Sequence, residues 1–159
     1  PFNLAQMINA AKINSDEMVL VIGSNTGYES AIISKLSSTV IALENSKRFK
    51  LEAEKNIRDL NINNIILVSG KHDLGYKKHA PYDIIFLLGS AIKIKDTLFN
   101  QMGANGRLIL CEPLNSLSQE GKAVLYTKKI DAITKQYLFN FTISRMEGFD
   151  EPKKGFFEF

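Results

Sequence analysis

Short apolar runs alternate with longer segments of helical spacing through most of the chain. Each run lacks the polar and apolar alternation of a half-exposed strand, so it predicts a strand buried on both faces of a sheet. Strands that alternate with helices need crossover connections, which are right-handed. The pattern predicts a doubly wound α/β domain, with a mostly parallel sheet and helices on both faces. The predicted strands are 18–22, 39–43, 65–68, 84–88 and 107–111.

The segments around these strands predict amphipathic helices. Ser46 is placed to cap the third helix, and Gly103 to end the fourth. The predicted buried faces are Leu4, Met7, Ile8 and Ala11; Tyr28, Ala31, Ile32 and Leu36; Phe49, Ala53, Ile57 and Leu60; and Ile94, Leu98 and Met102.

The pattern changes after Pro113, where two extended runs follow each other without a helical segment between them. These runs cover 123–130 and 133–143. They predict an antiparallel strand pair at one edge of the sheet.

The composition is ordinary for a globular protein, with 45% hydrophobic and 23% charged residues, and the length favours one domain over residues 1–159. The apolar runs are far shorter than the roughly 20 residues of a membrane helix, so no membrane partner is expected. Cys111 is the single cysteine, which excludes an internal disulfide and favours a cytoplasmic location. The net charge is +3 and the basic residues are scattered, Lys153 and Lys154 among them, so nucleic acid is not an expected partner either.

In a doubly wound sheet, ligands bind beyond the carboxyl ends of the strands. The loops at that edge begin at Gly23, Glu44, Ser69 and Gly89. Gly23 allows a sharp turn into a helix whose first N–H groups are free. Glu44 ends the second strand, where a carboxylate can accept both hydroxyl hydrogen bonds of a ribose. This combination predicts a site for a nucleoside-containing cofactor.

Several motifs resemble those of the protein-L-isoaspartate O-methyltransferases, which are class I S-adenosylmethionine-dependent methyltransferases. The resemblance covers most of the chain. Its most specific part is the Ala-Pro-Tyr-Asp sequence at 80–83. The other parts are the turn at 23–28, Glu44, the loop at 70–76, and the segments 101–102 and 106–108.

The resemblance implies methyl transfer from S-adenosylmethionine to isoaspartyl carboxylates, as in protein repair, with isoaspartyl-containing proteins or peptides as substrates. A carboxylate acceptor needs alignment with the methyl group rather than a general base, and no catalytic residue is assigned. His72 and His79 are not expected to act as bases, because isolated loop histidines are more often solvated, and no metal set is apparent. The implied cofactor-binding residues are Gly23, Ser24, Asn25, Gly27, Tyr28, Glu44, Asn45, Lys71 and His72.

Three positions depart from the family's cofactor motif. Val21 stands where the family has a carboxylate, Asn25 where it has the middle glycine of the turn, and Lys71 where an aspartate contacts the adenine amino group. Asparagine reaches positive φ more easily than other residues with a side chain. Loss of a charged hydrogen bond at Lys71 would cost on the order of 1.5–3 kcal/mol.

The family's acceptor-side Ser or Thr belongs upstream of the position of Pro1, which implies that an N-terminal segment of the family domain is missing. Two functional hypotheses follow, an active methyltransferase with further upstream residues, or a catalytically silent homologue that acts as a binding or interaction module. A nicotinamide-binding domain fits less well, because the turn lacks the G-x-G-x-x-G spacing. The sequence leaves the oligomeric state open.

Overall fold

The computed structural model describes residues 2–115 and 118–150, which hold four α-helices and seven strands. Lys153 and Lys154 lie outside these residues, so the single-domain prediction over 1–159 goes beyond the described part. The helices are α1 (Phe2–Ala11), α2 (Tyr28–Ser34), α3 (Lys47–Asp59) and α4 (Asp96–Asn100). The strands are β1 (Met18–Ile22), β2 (Thr39–Glu44), β3 (Ile65–Ser69), β4 (Tyr82–Ser90), β5 (Met102–Pro113), β6 (Glu120–Lys128) and β7 (Ile133–Thr142).

The strands form one sheet in the order β3-β2-β1-β4-β5-β6-β7. The first five pair in parallel, while β6 and β7 add antiparallel at the β5 edge. This confirms the doubly wound sheet and the antiparallel C-terminal pair. The strand order reverses direction between β1 and β4, so the topological switch point lies at their carboxyl ends.

Both faces of the central strands β1, β2 and β4 are buried, as the unbroken apolar runs predict, whereas β3 is only partly buried and β7 is largely exposed. In β1, Val19 and Val21 belong to the cluster that includes Met7 of α1 and Ile33 of α2. Leu20 and Ile22 alternate with them and join the opposite cluster, which includes Leu98 of α4. None of the helices in 2–115 and 118–150 is long and apolar enough to span a membrane.

The predicted buried face of α2 is wrong. Ile33 is fully buried, whereas Tyr28 is 54% exposed and Leu36 is 42% exposed. The helix begins after Gly27, whose φ of +87° sets its rotational phase, and it ends at Ser34, before Leu36. Helical spacing in the sequence gave the period correctly but could not give the phase or the length.

Two of the four residues predicted for the buried face of α3 are buried. Ser46 caps the helix by accepting a 3.4 Å hydrogen bond from the Phe49 N–H, and Ala53 and Ile57 are buried. Phe49 is 37% exposed. Leu60 is 62% exposed, because it lies just beyond the end of the helix.

The fourth helix is shorter than predicted, and Met102 and Gly103 lie in β5 rather than at the helix end. The Tyr82 N–H donates to the Gln101 carbonyl at 2.8 Å, and Met102 pairs with Tyr82 in the parallel ladder. Pairing with β4 therefore ends the helix early, a contact that local sequence cannot reveal.

Candidate functional site

A crevice of about 600 Å³ opens at the carboxyl ends of β1, β2 and β4. This volume is typical of small-molecule and cofactor sites. Its position at the switch point is the one predicted from the strand pattern. The predicted cofactor residues that line it are Gly23, Asn25, Glu44, Asn45 and His72.

The turn after β1 supplies one wall of the crevice. Gly23 has φ +79° and its N–H donates to the Leu43 carbonyl at 2.9 Å. Asn25 has φ +46°, and its side-chain Nδ2 donates to the Gly23 carbonyl at 3.0 Å. Asparagine thus replaces a glycine at a left-handed position and stabilises the turn with its own amide.

Glu44 fixes this turn against the start of α3. Its side chain is buried, with 2% exposed. Oε2 accepts a 2.8 Å hydrogen bond from the Asn25 N–H, and Oε1 accepts one of 2.9 Å from the Ser46 N–H. Each carboxylate oxygen has two lone pairs, so each can accept one further hydrogen bond from a ligand hydroxyl in the crevice.

His72 is buried, not solvated as predicted. Its Nε2 accepts a 3.3 Å hydrogen bond from the Asn45 N–H and lies 3.9 Å from Oε1 of Glu44. Its Nδ1 has no hydrogen-bond partner among the described residues. Burial lowers the pKa of His72, while the nearby carboxylates Glu44, Glu147 and Asp73 raise it in part. The side chain is a neutral imidazole, and its unpaired Nδ1–H is buried rather than open to the crevice.

We expect His72 to lower the free energy of unfolding as the pH falls below 6.5. Its folded pKa is below the unfolded value of 6.5, so its contribution is complete above pH 6.5 and is lost as the pH falls toward the folded pKa. In His72→Gln, the slope of unfolding free energy against pH should fall in this window by up to about 1.4 kcal/mol per pH unit. Urea titrations at pH 5 to 7.5 measure it. The control is His79→Gln, which removes the other histidine; equal slopes in all three proteins would contradict the expectation.

The remaining predicted residues do not line the crevice. Ser24 is fully buried and its hydroxyl has no partner in the described part of the chain. Gly27 faces Ala53 of α3. Tyr28 is exposed and lines a separate apolar depression with Leu36, and Lys71 is exposed on the loop after β3.

Val21 also lies away from the crevice, because its side chain is fully buried in the core cluster on the α1 side of the sheet. The loss of a carboxylate at this position is therefore compatible with the packing of β1. Lys71 places its charge on the surface rather than in the crevice.

Several crevice residues carry no signal in the sequence. The end of β7 contributes Phe141, and the segment after it contributes Arg145, Met146 and Glu147, although these residues follow Glu44 by about a hundred positions. Phe49, assigned to a helix core, lines the crevice instead. The strand pattern placed Gly89 at the crevice edge, but spacing rules cannot find partners so distant in the chain.

Gln101 holds the loop after β3 in place. It is 3% exposed, its Oε1 accepts from the Tyr76 N–H at 2.8 Å, and its Nε2 donates to the carbonyls of Leu74 and Thr97 at 2.8 and 3.1 Å. These bonds join the His72–Leu74 turn to α4. Gln101 thus positions the His72 wall of the crevice without lining it.

Neither a metal centre nor a reactive thiol is apparent in the described residues. No group of three or more His, Cys, Asp or Glu side chains among residues 2–115 and 118–150 is arranged to hold a metal ion. Cys111 is fully buried, and burial followed by the charge of Glu112 raises its pKa to about 11. A thiol of such a pKa is a poor nucleophile at neutral pH.

The parallel sheet with an antiparallel C-terminal pair, and a glycine turn that faces a buried strand-end carboxylate, define the class I S-adenosylmethionine-dependent methyltransferase fold. Comparison with known proteins agrees. The family profile described as Protein-L-isoaspartate(D-aspartate) O-methyltransferase (PCMT) matches residues 1–142. The chain belongs to this family.

Individual relatives are moderately similar. The protein-L-isoaspartate O-methyltransferase of Gloeobacter violaceus is 29% identical over 139 residues, which cover 87% of this chain and 67% of the relative. That of Xylella fastidiosa (strain 9a5c) is 32% identical over 142 residues, or 87% of this chain and 60% of the relative. A solved protein-L-isoaspartate O-methyltransferase superposes with a TM-score of 0.84 at 27% identity, over 92% of this chain and 47% of that one.

The chain spans about half to two thirds of the length of the relatives it matches. A structure from Plasmodium falciparum, a putative family member in complex with S-adenosyl-L-homocysteine, has a TM-score of 0.65 at 22% identity and supports the fold alone. It covers 89% of this chain and 70% of that one.

Proposed function

We propose that this chain is the cofactor-binding part of a protein-L-isoaspartate O-methyltransferase, which transfers methyl from S-adenosylmethionine to isoaspartyl carboxylates of damaged proteins. The observation that carries the proposal is Glu44, a buried strand-end carboxylate that faces the crevice and holds the glycine turn. Family membership supports the reaction type.

The crevice residues fit such a cofactor at its nucleoside end. Glu44 keeps acceptor capacity for two ribose hydroxyls after it has accepted two backbone N–H groups. His72 lines the crevice beside Glu44, with its Nε2 3.9 Å from Oε1 of that residue. When bound, the cofactor supplies a sulfonium methyl group with its own driving force.

The residues of this chain bind and orient; none is required as a base. An isoaspartyl carboxylate is already ionised at neutral pH, so the acceptor needs only to be held in line with the methyl group. Cys111, the only thiol, is buried and takes no part. No residue of the described part of the chain is assigned to hold the acceptor in this proposal.

S-adenosylhomocysteine tests the cofactor step. A ligand present at 100 times its Kd and bound only to the native state adds about 2.7 kcal/mol to stability, so the melting temperature should rise by several degrees and further with concentration. Transfer is then measured as methyl incorporation into an isoaspartyl peptide, with the aspartyl peptide as control. Absence of any shift at millimolar ligand, in a protein that includes upstream residues, would reject the proposal.

A catalytically silent homologue is the second candidate. Residues of the chain's own C-terminal segment lie in the crevice, which favours a domain that keeps the fold without turnover. Ligand binding without methyl incorporation, in a protein with upstream residues, would support this alternative.

Lys71→Asp restores the residue type of the family motif. Because the Lys71 side chain is exposed and does not line the crevice, we expect the Kd for S-adenosylhomocysteine to change by less than about threefold, the range of a screened surface charge. Lys78→Asp, the same change of charge on another exposed loop residue, is the control. Isothermal titration calorimetry gives both values, and a tenfold gain specific to Lys71→Asp would show that the loop folds over the ligand.

A cytoplasmic location is part of the proposal and rests on the single cysteine. Isoaspartyl-containing proteins are the proposed partners. Nucleic acid and membranes are not, since the basic residues are scattered along the sequence.

A further inference from the structure

Residues 144–149, here termed the strap, run alongside the end of β4 after the chain leaves β7. The Ser90 N–H donates to the Ser144 carbonyl at 3.1 Å, and the Met146 N–H donates to the Ser90 carbonyl at 3.1 Å. The Ile92 N–H donates to the Phe149 carbonyl at 3.2 Å. These hydrogen bonds hold the strap against the end of β4, where Arg145 forms a parallel bridge with Ser90.

Met146 of the strap fills the space above two glycines. A Cβ placed on Gly23 would collide with Cε of Met146, and one placed on Gly89 would lie 2.8 Å from its Cβ and 3.0 Å from its Cε. Met146 is only 8% exposed. The cleft between the ends of β1 and β4 is therefore occupied by a side chain of the protein itself.

The strap also reaches the other two loops of the crevice. Oε2 of Glu147 accepts a 3.3 Å hydrogen bond from Nδ2 of Asn45, after β2. Gly148 packs against Asp73, after β3, and a Cβ on Gly148 would be 3.0 Å from that of Asp73. The strap thus spans the mouth of the crevice from β4 to β3.

Ligands of doubly wound sheets bind at the switch point, which in this chain lies between Gly23 and Gly89. Glycines there leave room for a ligand to approach the backbone closely, and Met146 takes up that room. We propose that the strap is an internal competitor of the cofactor, with Met146 in the place of one end of the ligand. The inference rests on the proposed function and concerns residues beyond 142, where the family match ends.

Competition of this kind weakens apparent binding by the fraction of molecules whose crevice is open. Burial of a methionine side chain is worth roughly 10- to 100-fold in an equilibrium constant. In the full chain, Met146→Ala should bind S-adenosylhomocysteine at least tenfold more tightly than the parent protein. Met146→Leu, which keeps a side chain of similar volume, should bind like the parent.

Calorimetric titration of the three proteins separates the two proposals. Tighter binding by Met146→Ala alone supports the competitor, as does binding by Met146→Ala when the parent shows none. Equal affinity in all three overturns the competitor and leaves the proposed function intact. No binding by any of them at millimolar ligand, in proteins that include upstream residues, overturns both.

Hydrogen exchange on the parent protein tests displacement of the strap without a variant, and so it applies even if Met146→Ala does not fold. The Met146 and Ile92 amides are protected by the bonds between strap and sheet. Saturating S-adenosylhomocysteine should speed their exchange at least tenfold, because the ligand displaces the strap. Slower or unchanged exchange in the bound state would overturn the competitor.

Discussion

Glu44→Gln is expected to weaken S-adenosylhomocysteine binding at least tenfold and to lower the free energy of unfolding by about 2 to 3 kcal/mol. Hydrogen bonds to charged groups contribute about 1.5–3 kcal/mol each, and the buried Glu44 carboxylate accepts two of them, from the Asn25 and Ser46 N–H groups. An amide nitrogen in place of either oxygen would face one of these donors. The turn should therefore be less stable, and the hydrogen bonds to the ligand ribose should be weaker.

Calorimetric titration and urea unfolding measure the two effects. Glu54→Gln is the matched control, since Glu54 is a half-exposed α3 residue paired with Lys50 at 3.7 Å. Its stability should change by less than about 0.5 kcal/mol. Parent-like ligand affinity in Glu44→Gln would remove the main support for the proposed function.

Gln101→Leu is expected to destabilise the protein by about 3 kcal/mol. The change leaves the Tyr76 N–H and the carbonyls of Leu74 and Thr97 without their side-chain partner. The three bonds are part-buried, and a net loss of about 0.5–1.5 kcal/mol for each gives this total. Because the released loop carries His72, ligand affinity should fall as well.

Urea unfolding checks the stability change. Gln136→Leu is the control, because it makes the same replacement at an exposed position of β7 and should shift stability by less than about 0.5 kcal/mol. Similar losses in the two variants would mean that the three bonds of Gln101 contribute little.

The parts of the fold that local patterns predicted are those that local chemistry determines. Unbroken apolar runs identify the parallel strands, and Glu44 follows from its place at the end of one of them. Asn25 takes the left-handed conformation that its residue type favours. Ser46 caps α3 for the same local reason.

The predictions that were wrong concern features that depend on contacts between segments distant in the sequence. The length of α4 is set by the pairing of Met102 with Tyr82, and the burial of His72 by the walls around it. Met146 reaches Gly23 from the opposite end of the chain. Neither periodicity nor motif spacing carries information about such pairs.

Glu44 contacts Asn25 through the backbone N–H and not through the asparagine side chain. The conformation of the main chain is therefore what position 25 requires, and we expect residues that reach positive φ, namely glycine, asparagine and aspartate, to be exchangeable there. Position 44 has no such freedom, since only a carboxylate satisfies both donors. Absence of a glycine at position 25 therefore does not indicate that a protein with this turn has lost its activity. Replacement of the glutamate at position 44 would indicate such a loss.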